Sequence, residues 1–253
     1  MYDLLNSPAG TLVKTSLVDF PEHVAAAVFL KGCPIRCPYC YNISLIGDTE
    51  SSADFAEENE FVSLSDIFAH LEKRKNVLSG LAISGGEPLE NPRLVPLIKK
   101  ARELGYKIKL DTNGLFPQKL KDLCDDPLTR PDYIAMDIKT SPDRYGLFCP
   151  DKNRAEDFSK VYGKNLLASV AIISSFPVEC REFRTVLVPP LVDEADIENM
   201  AGVIPQDSRW YLAQFQNQSC LDPEYCGIEP YSSEQLEGLV ELARKTHPLA
   251  QLR

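Results

Sequence analysis

Short β-forming runs alternate with helical stretches along most of this chain, and this alternation is the feature that most constrains its fold. Parallel strands need a crossover connection, so repeated strand–loop–helix units predict a parallel sheet covered by helices. We expect an α/β fold built from six such units, a partial (β/α)6 barrel. The predicted strands are Val24–Leu30, Leu81–Ser84, Lys107–Asp111, Tyr133–Ile138, Glu182–Val188 and Trp210–Phe215.

Helix signals lie between these runs. Ser63 followed by Asp66 predicts a capped helix start, and Asn91 followed by Pro92 predicts another. The composition of residues 165–175 fits a strand or a helix. We favour a helix, because the apolar residues recur at helical spacing and the alternation requires one there.

Length and composition favour a single domain over residues 1–253, with segments of about 1–22 and 216–253 packing on the barrel. A chain of 253 residues with 44% hydrophobic content can bury a large core. The acidic stretch 47–60 predicts a surface loop. No block of additional cysteines lies between Cys40 and Ser84, which argues against added clusters.

Charge and hydropathy exclude two classes of partner. The formal net charge of −10 argues against nucleic acid, because phosphate neutralisation needs clustered lysine and arginine. The longest apolar stretch, Val24–Leu30, is far shorter than the ~20 residues of a membrane span. The N-terminus shows no secretory signal pattern, so we expect a reducing, cytoplasmic location that keeps thiols free.

Three cysteines follow the first predicted strand within eight residues. Cys33, Cys37 and Cys40 have the spacing C-x3-C-x2-C, with aromatic Tyr39 before the last thiol. Iron–sulfur clusters are normally held by four thiolates, so three suggest a cluster with one iron open to a ligand. The alternative is structural zinc, which requires four ligands, and no nearby Cys or His completes such a set.

A glycine-rich turn ends the second predicted strand. Gly85 and Gly86 allow close approach of a ligand to the backbone, and Glu87 offers a carboxylate to a cationic group. The alternative is an ordinary strand-to-helix turn, but its position ~45 residues after the cysteines favours cofactor binding.

Polar residues also end the following strands. Asp111 and Thr112 follow the third strand, and Asp137 and Lys139 follow the fourth. Such acidic residues bind ribose hydroxyls or a cation at strand ends, although Asn-Gly after Thr112 is also an ordinary turn.

Together these motifs resemble the radical S-adenosylmethionine (SAM) superfamily. Within it the chain is similar to glycyl-radical-enzyme activases, most closely the activating proteins of anaerobic ribonucleoside-triphosphate reductase. Motifs carrying the resemblance lie at 14–21, 28–33, 37–40, 111–114, 136–139, 183–189 and 210–215. Two residues depart from the activase pattern: Tyr41 stands where histidine is usual, and Pro190 where glycine is usual.

The resemblance implies cofactors and roles for the named residues. Cys33, Cys37 and Cys40 would hold a [4Fe-4S] cluster whose open iron binds SAM, with Tyr39 beside it. Gly85, Gly86 and Glu87 would meet the SAM amino group. Asp111, Thr112 and Asp137 would lie by the SAM carboxylate, with a monovalent cation near Asp111 and Asp137. Lys139 would lie alongside them, and Arg184 would also contact SAM.

The implied reaction is reductive cleavage of SAM to a 5′-deoxyadenosyl radical, which takes hydrogen from a glycine of a partner glycyl radical enzyme. A flavodoxin- or ferredoxin-type protein would donate the electron. Two alternatives are a radical SAM enzyme acting on a small molecule or peptide, and a non-catalytic electron-transfer protein. We expect the other cysteines to be free thiols rather than a second cluster; they are Cys124, Cys149, Cys180, Cys220 and Cys226.

Overall fold

The computed structural model describes residues 3–47 and 61–253. The strands in these ranges are β1 (Pro8–Ser16), β2 (Ala25–Leu30), β3 (Val62–Ser63), β4 (Gly80–Gly85), β5 (Lys107–Thr112), β6 (Tyr133–Asp137), β7 (Arg181–Leu187), β8 (Arg209–Gln214) and β9 (Ala250–Leu252). The α-helices there are α1 (Leu64–Arg74), α2 (Leu94–Glu103), α3 (Pro117–Asp125), α4 (Ala155–Ile173), α5 (Glu194–Ala201) and α6 (Ser233–Arg244).

The strands are mostly parallel and do not close into a complete barrel, which confirms the predicted α/β class. The chain divides into two compact units. The first unit contains residues 1–34, 42–112 and 118–134, and the second contains 35–41, 113–117 and 135–253. The single-domain organisation therefore stays a prediction.

In the first unit the strand order is β3-β1-β2-β4-β5. β1 runs antiparallel to β2, whereas β2, β4 and β5 are parallel neighbours. The register places Ala27, Ala82 and Lys109 in one row across these three strands. Residues in register lie on the same face of a sheet. This row shares its face with a buried cluster that includes Phe20 and Tyr133.

In the second unit β7, β8 and β9 are parallel neighbours. Trp210 on β8 is fully buried, and its indole N–H donates to Thr185 Oγ1 on β7 at 3.0 Å. A buried indole normally needs such a partner, so this bond fixes the pairing of the two strands. β6 contributes residues to both units.

All six predicted strands are present with ends shifted by at most one residue. The capped helix start is confirmed, because Ser63 and Asp66 form a reciprocal capping box at α1. The helix predicted within 165–175 is part of the longer α4. α2 begins at Leu94 rather than Pro92, because the Asn91 side chain accepts from the Arg93 amide at 2.9 Å and holds a turn there.

Three strands were not predicted: β1, β3 and β9. The acidic loop predicted at 47–60 lies, apart from Gly47, outside the described residues. No helix within 3–47 and 61–253 combines the length and the apolar character that crossing a bilayer requires.

Candidate cluster and cofactor site

The first cysteine of the motif lies in the first unit, directly after β2. Gly32 has a φ of +98°, a left-handed conformation that glycine adopts readily. Its amide donates to Leu45 O at 2.7 Å, and the Cys33 amide donates to Ile46 O at 3.3 Å. These two bonds attach the start of the cysteine loop to a 3-10 turn at Ile43–Leu45.

The other two cysteines lie in the second unit. The Cys40 amide donates to Cys37 O at 3.0 Å, which forms a tight turn between the two thiols. Tyr39 is buried and packs edge-on against Phe148 and Phe215, with ring centroids 6.4 and 6.5 Å apart. Burial raises the pKa of the Tyr39 hydroxyl well above its usual value, so this ring stays neutral.

None of the eight cysteines is in a disulfide, and the absence of a second cluster at those outside the motif stays a prediction. Among residues 3–47 and 61–253, no group of three or more His, Cys, Asp or Glu side chains is arranged to hold a metal ion. The assignment of Cys33, Cys37 and Cys40 as cluster ligands therefore rests on their chemistry and spacing, and it stays a prediction.

The glycine turn of the first unit packs against the backbone before Cys33. Gly85 has a φ of +123°, and a Cβ there would lie 2.3 Å from Leu30 N and O. A Cβ on Gly86 would lie 2.1 Å from Gly32 O. The Glu87 amide donates to that same carbonyl at 2.8 Å. The sequence thus needs glycine at both positions to bring this turn beside the start of the cysteine loop.

Glu87 is fully buried. Its Oε1 accepts from Thr112 Oγ1 at 2.8 Å and from the Leu89 amide at 3.1 Å. A carboxylate in such surroundings favours a cationic ligand that adds a further charged hydrogen bond. Thr112, which the resemblance places by the SAM carboxylate, contacts the carboxylate of Glu87 in this structure.

Asp111 is paired with a residue that the sequence analysis did not single out. Its Oδ1 accepts from Lys109 Nζ, and the Lys109 side chain is only 3% exposed. Lys109 and Asp111 are two residues apart on β5 and share a face. The signal available in the sequence was this i, i+2 spacing of opposite charges in a short strand.

The second unit gathers Asp137, Lys139 and Arg184, three residues predicted to contact SAM. Asp137 Oδ2 is 3.2 Å from Lys139 Nζ, and Asp137 Oδ1 accepts from Arg184 Nε at 2.9 Å. Burial alone would raise the pKa of Asp137, but the two cations outweigh it and lower that pKa to about 2. Two cations and one anion leave a net positive charge, which suits a carboxylate ligand.

A second charged residue, Glu182, supports Arg184 and was also missed. The Glu182 side chain is 1% exposed, and its Oε1 lies 3.9 Å from Arg184 Nη1 and 3.5 Å from Arg253 Nη1. Burying a carboxylate requires such compensation. Glu182 and Arg184 occur at i, i+2 on β7, the same spacing as Lys109 and Asp111 on β5.

These features fit the cofactors that the resemblance implies. Cys33, Cys37 and Cys40, none of which is in a disulfide, would supply the thiolates for three irons of a [4Fe-4S] cluster. A Cβ on Gly86 would meet Gly32 O, so only glycine lets this turn lie against the backbone that precedes Cys33. In the first unit the buried Glu87 carboxylate suits an ammonium group, and in the second unit the positive group around Arg184 suits a carboxylate.

Two relatives are named as activating enzymes. The chain is 29% identical over 238 residues, 92% of its length, to a protein of Methanocaldococcus jannaschii provisionally named as a glycyl-radical enzyme activating enzyme, of which 90% is covered. It is 29% identical over 193 residues to the pyruvate formate-lyase-activating enzyme of Clostridium pasteurianum, covering 74% of this chain and 72% of that one.

Solved structures show the same fold. Coproporphyrinogen III oxidase (HemN) from Escherichia coli, described as a radical SAM enzyme, superposes with a TM-score of 0.56 at 15% identity. The match covers 90% of this chain and 53% of HemN, so this chain spans about half of that protein. TYW1 with a lysine-pyruvate adduct gives a TM-score of 0.56 at 14% identity, covering 87% of this chain and 73% of TYW1.

A family model also matches the chain directly. The match to the radical SAM superfamily covers residues 27–195, which include the cysteine motif, the glycine turn and Arg184. This is more than half of the chain. The protein therefore belongs to the radical SAM superfamily.

Proposed function

We propose that this protein is a glycyl-radical-enzyme activase. The observation that carries the proposal is the hydrogen bond from the Glu87 amide to Gly32 O, which holds a buried carboxylate beside the start of the cysteine loop. Support for the activase class comes from one relative provisionally named as a glycyl-radical enzyme activating enzyme and from another named as a pyruvate formate-lyase-activating enzyme.

When bound, the cluster and SAM would supply the one-electron radical chemistry by which hydrogen is taken from a glycine of the partner enzyme. The chain's own residues bind and orient. Cys33, Cys37 and Cys40 would hold three irons through their thiolates, and Tyr39, packed against Phe148 and Phe215, anchors the turn between the last two. Glu87 accepts a charged hydrogen bond from the SAM ammonium.

Lys139 and Arg184 attract the SAM carboxylate. Asp137 holds both cations by ion pairs at 3.2 and 2.9 Å, so they need little rearrangement when the ligand binds. Because its pKa is lowered to about 2, Asp137 stays ionised at neutral pH and keeps these pairs intact.

The partner we propose is the anaerobic ribonucleotide reductase, because the activase motifs resemble those of its activating proteins over nearly the whole chain. The electron donor is then a flavodoxin- or ferredoxin-type protein, and the location is the cytoplasm. The resemblance also implies a monovalent cation near Asp111 and Asp137, and SAM binding in different salts tests for it.

The test begins with anaerobic reconstitution of the wild type and of the Cys33→Ala/Cys37→Ala/Cys40→Ala variant. We expect about four irons per wild-type chain and none in the variant. Cys226→Ala removes an exposed thiol outside the motif and serves as the matched control. Full iron and sulfide in the triple variant would refute the cluster assignment.

The second step separates the competing functions. Incubation with SAM, a reductant and the reductase should give 5′-deoxyadenosine and a glycyl radical detectable by electron paramagnetic resonance. SAM cleavage without a glycyl radical on any glycyl radical enzyme would favour a small-molecule or peptide substrate. A loaded cluster without SAM cleavage would leave only electron transfer.

A further inference from the structure

Lys109 is a buried lysine on the face of β5 that carries Asp111. Its side chain is 3% exposed, whereas Lys107 on the same strand is 57% exposed. The parallel register places Lys109 beside Ala82, and Ala82 beside Ala27. Two alanines in this row leave space for the long aliphatic stem of the lysine.

Burial of an ammonium group is tolerated when an anion accompanies it. Asp111 provides that anion, because Lys109 Nζ donates to Asp111 Oδ1. The Asp111 side chain is 14% exposed, so solvent has little access to this pair. The carboxylate of Asp111 is therefore already paired with a positive charge, the Lys109 ammonium, which belongs to the same strand and cannot diffuse away.

A monovalent cation at a carboxylate contributes one positive charge to its surroundings and is held by oxygen ligands. The Lys109 ammonium contributes the same charge to Asp111 and occupies one of its oxygens. Asp137, the other expected cation ligand, contacts Lys139 and Arg184 in its own unit. The donor set thus fits an additional cation poorly, since each carboxylate is already neutralised by side chains.

We propose that Lys109 is a positioning residue whose ammonium takes the place of the monovalent cation at Asp111, so that SAM binding needs no such ion. This inference rests on the proposed use of SAM. A tethered ammonium stays beside Asp111 at any salt composition, whereas occupancy by a dissociable ion depends on the concentration of that ion.

The experiment measures SAM affinity of the cluster-loaded protein by equilibrium binding in potassium, sodium or tetramethylammonium chloride at equal ionic strength. Tetramethylammonium is too large to enter a small cation site. We expect wild-type affinities to agree within about twofold. In Lys109→Met, we expect affinity to fall by about tenfold in tetramethylammonium and to recover at least partly in potassium.

Lys107→Met is the matched control, because it removes an exposed lysine of the same strand that pairs with Asp132 at 3.0 Å. It should bind SAM as the wild type does in every salt. A merely structural role for Lys109 would lower affinity equally in all three salts, and this result would overturn the inference. Wild-type-like binding by Lys109→Met would do the same.

The wild-type salt series decides the question even if Lys109→Met does not fold. A loss of about fivefold or more when potassium is replaced by tetramethylammonium would overturn the inference and leave the proposed function standing. Absence of SAM binding by the loaded wild type in all salts would overturn both. Cation-independent binding would support both.

Discussion

Replacing Glu87 with glutamine should separate SAM binding from assembly of the site. The substitution removes the negative charge and keeps one side-chain oxygen. That oxygen can still accept from Thr112 Oγ1 and the Leu89 amide, which lie 2.8 and 3.1 Å from Oε1. The turn and the adjoining cysteine loop should therefore keep their structure.

The magnitude follows from the charged hydrogen bond that would be lost. A hydrogen bond to a charged group contributes about 1.5–3 kcal/mol, so SAM affinity should fall by roughly ten- to a hundredfold. Because Glu87 is fully buried, solvent does not screen this interaction. Iron content should be unchanged, since Glu87 is not a cluster ligand in our proposal.

The assay compares iron content, SAM affinity and reductively driven 5′-deoxyadenosine formation in the loaded wild type and variant. Glu90→Gln is the control, because Glu90 belongs to the same turn but is 46% exposed and pairs with Lys119 at 3.3 Å. An exposed pair contributes little. SAM affinity within about threefold of the wild type in a fully loaded Glu87→Gln protein would refute the proposed ammonium site.

Three further predictions concern acid stability, thiol reactivity and backbone strain. The pKa of Asp137 lies below its unfolded value, so its ion pairs stabilise the fold above about pH 5 and lose that effect as pH falls toward 2. Since the Asp137 side chain is 33% exposed, we expect these pairs to contribute about 1–2 kcal/mol to the free energy of unfolding. In urea unfolding of cluster-free protein, the difference in unfolding free energy between wild type and Asp137→Asn should narrow from about pH 6 to 3. Burial raises the pKa of the Cys220 thiol to about 11, so little of it is thiolate at about pH 8. Mass spectrometry at that pH should find exposed Cys226 alkylated at least about tenfold faster than Cys220, and equal rates for the two would contradict this. Gly85→Ala should lower the free energy of unfolding by about 3 kcal/mol or prevent folding, because Gly85 has a φ of +123° and a Cβ there would meet the Leu30 backbone. Gly238→Ala is the control: it lies on α6 with open space around it and should be neutral or stabilising in thermal unfolding.

The local sequence determined where the main strands lie and where the cofactor-motif residues stand relative to them. Strand propensity and helix spacing located the six main strands within one residue, and each cofactor-motif residue except Arg184, which lies within β7, follows or ends one of them. The capping box at Ser63 and Asp66 was also readable, because both bonds join residues three positions apart. Such features depend on neighbours along the chain, and the sequence contains them in full.

Tertiary structure decided which polar residues are buried. Lys107, Lys109 and Asp111 alternate with apolar residues, a pattern typical of a strand with one solvent-exposed face. This face is instead buried at Lys109, which lies in register with Ala82 and Ala27 of a buried cluster, while Lys107 stays exposed at the strand's start. Contacts such as Thr112 with Glu87 join residues 25 positions apart. Periodicity reports only the two faces of a strand, so which face is covered, and by what, follows from the packing of strands distant in sequence.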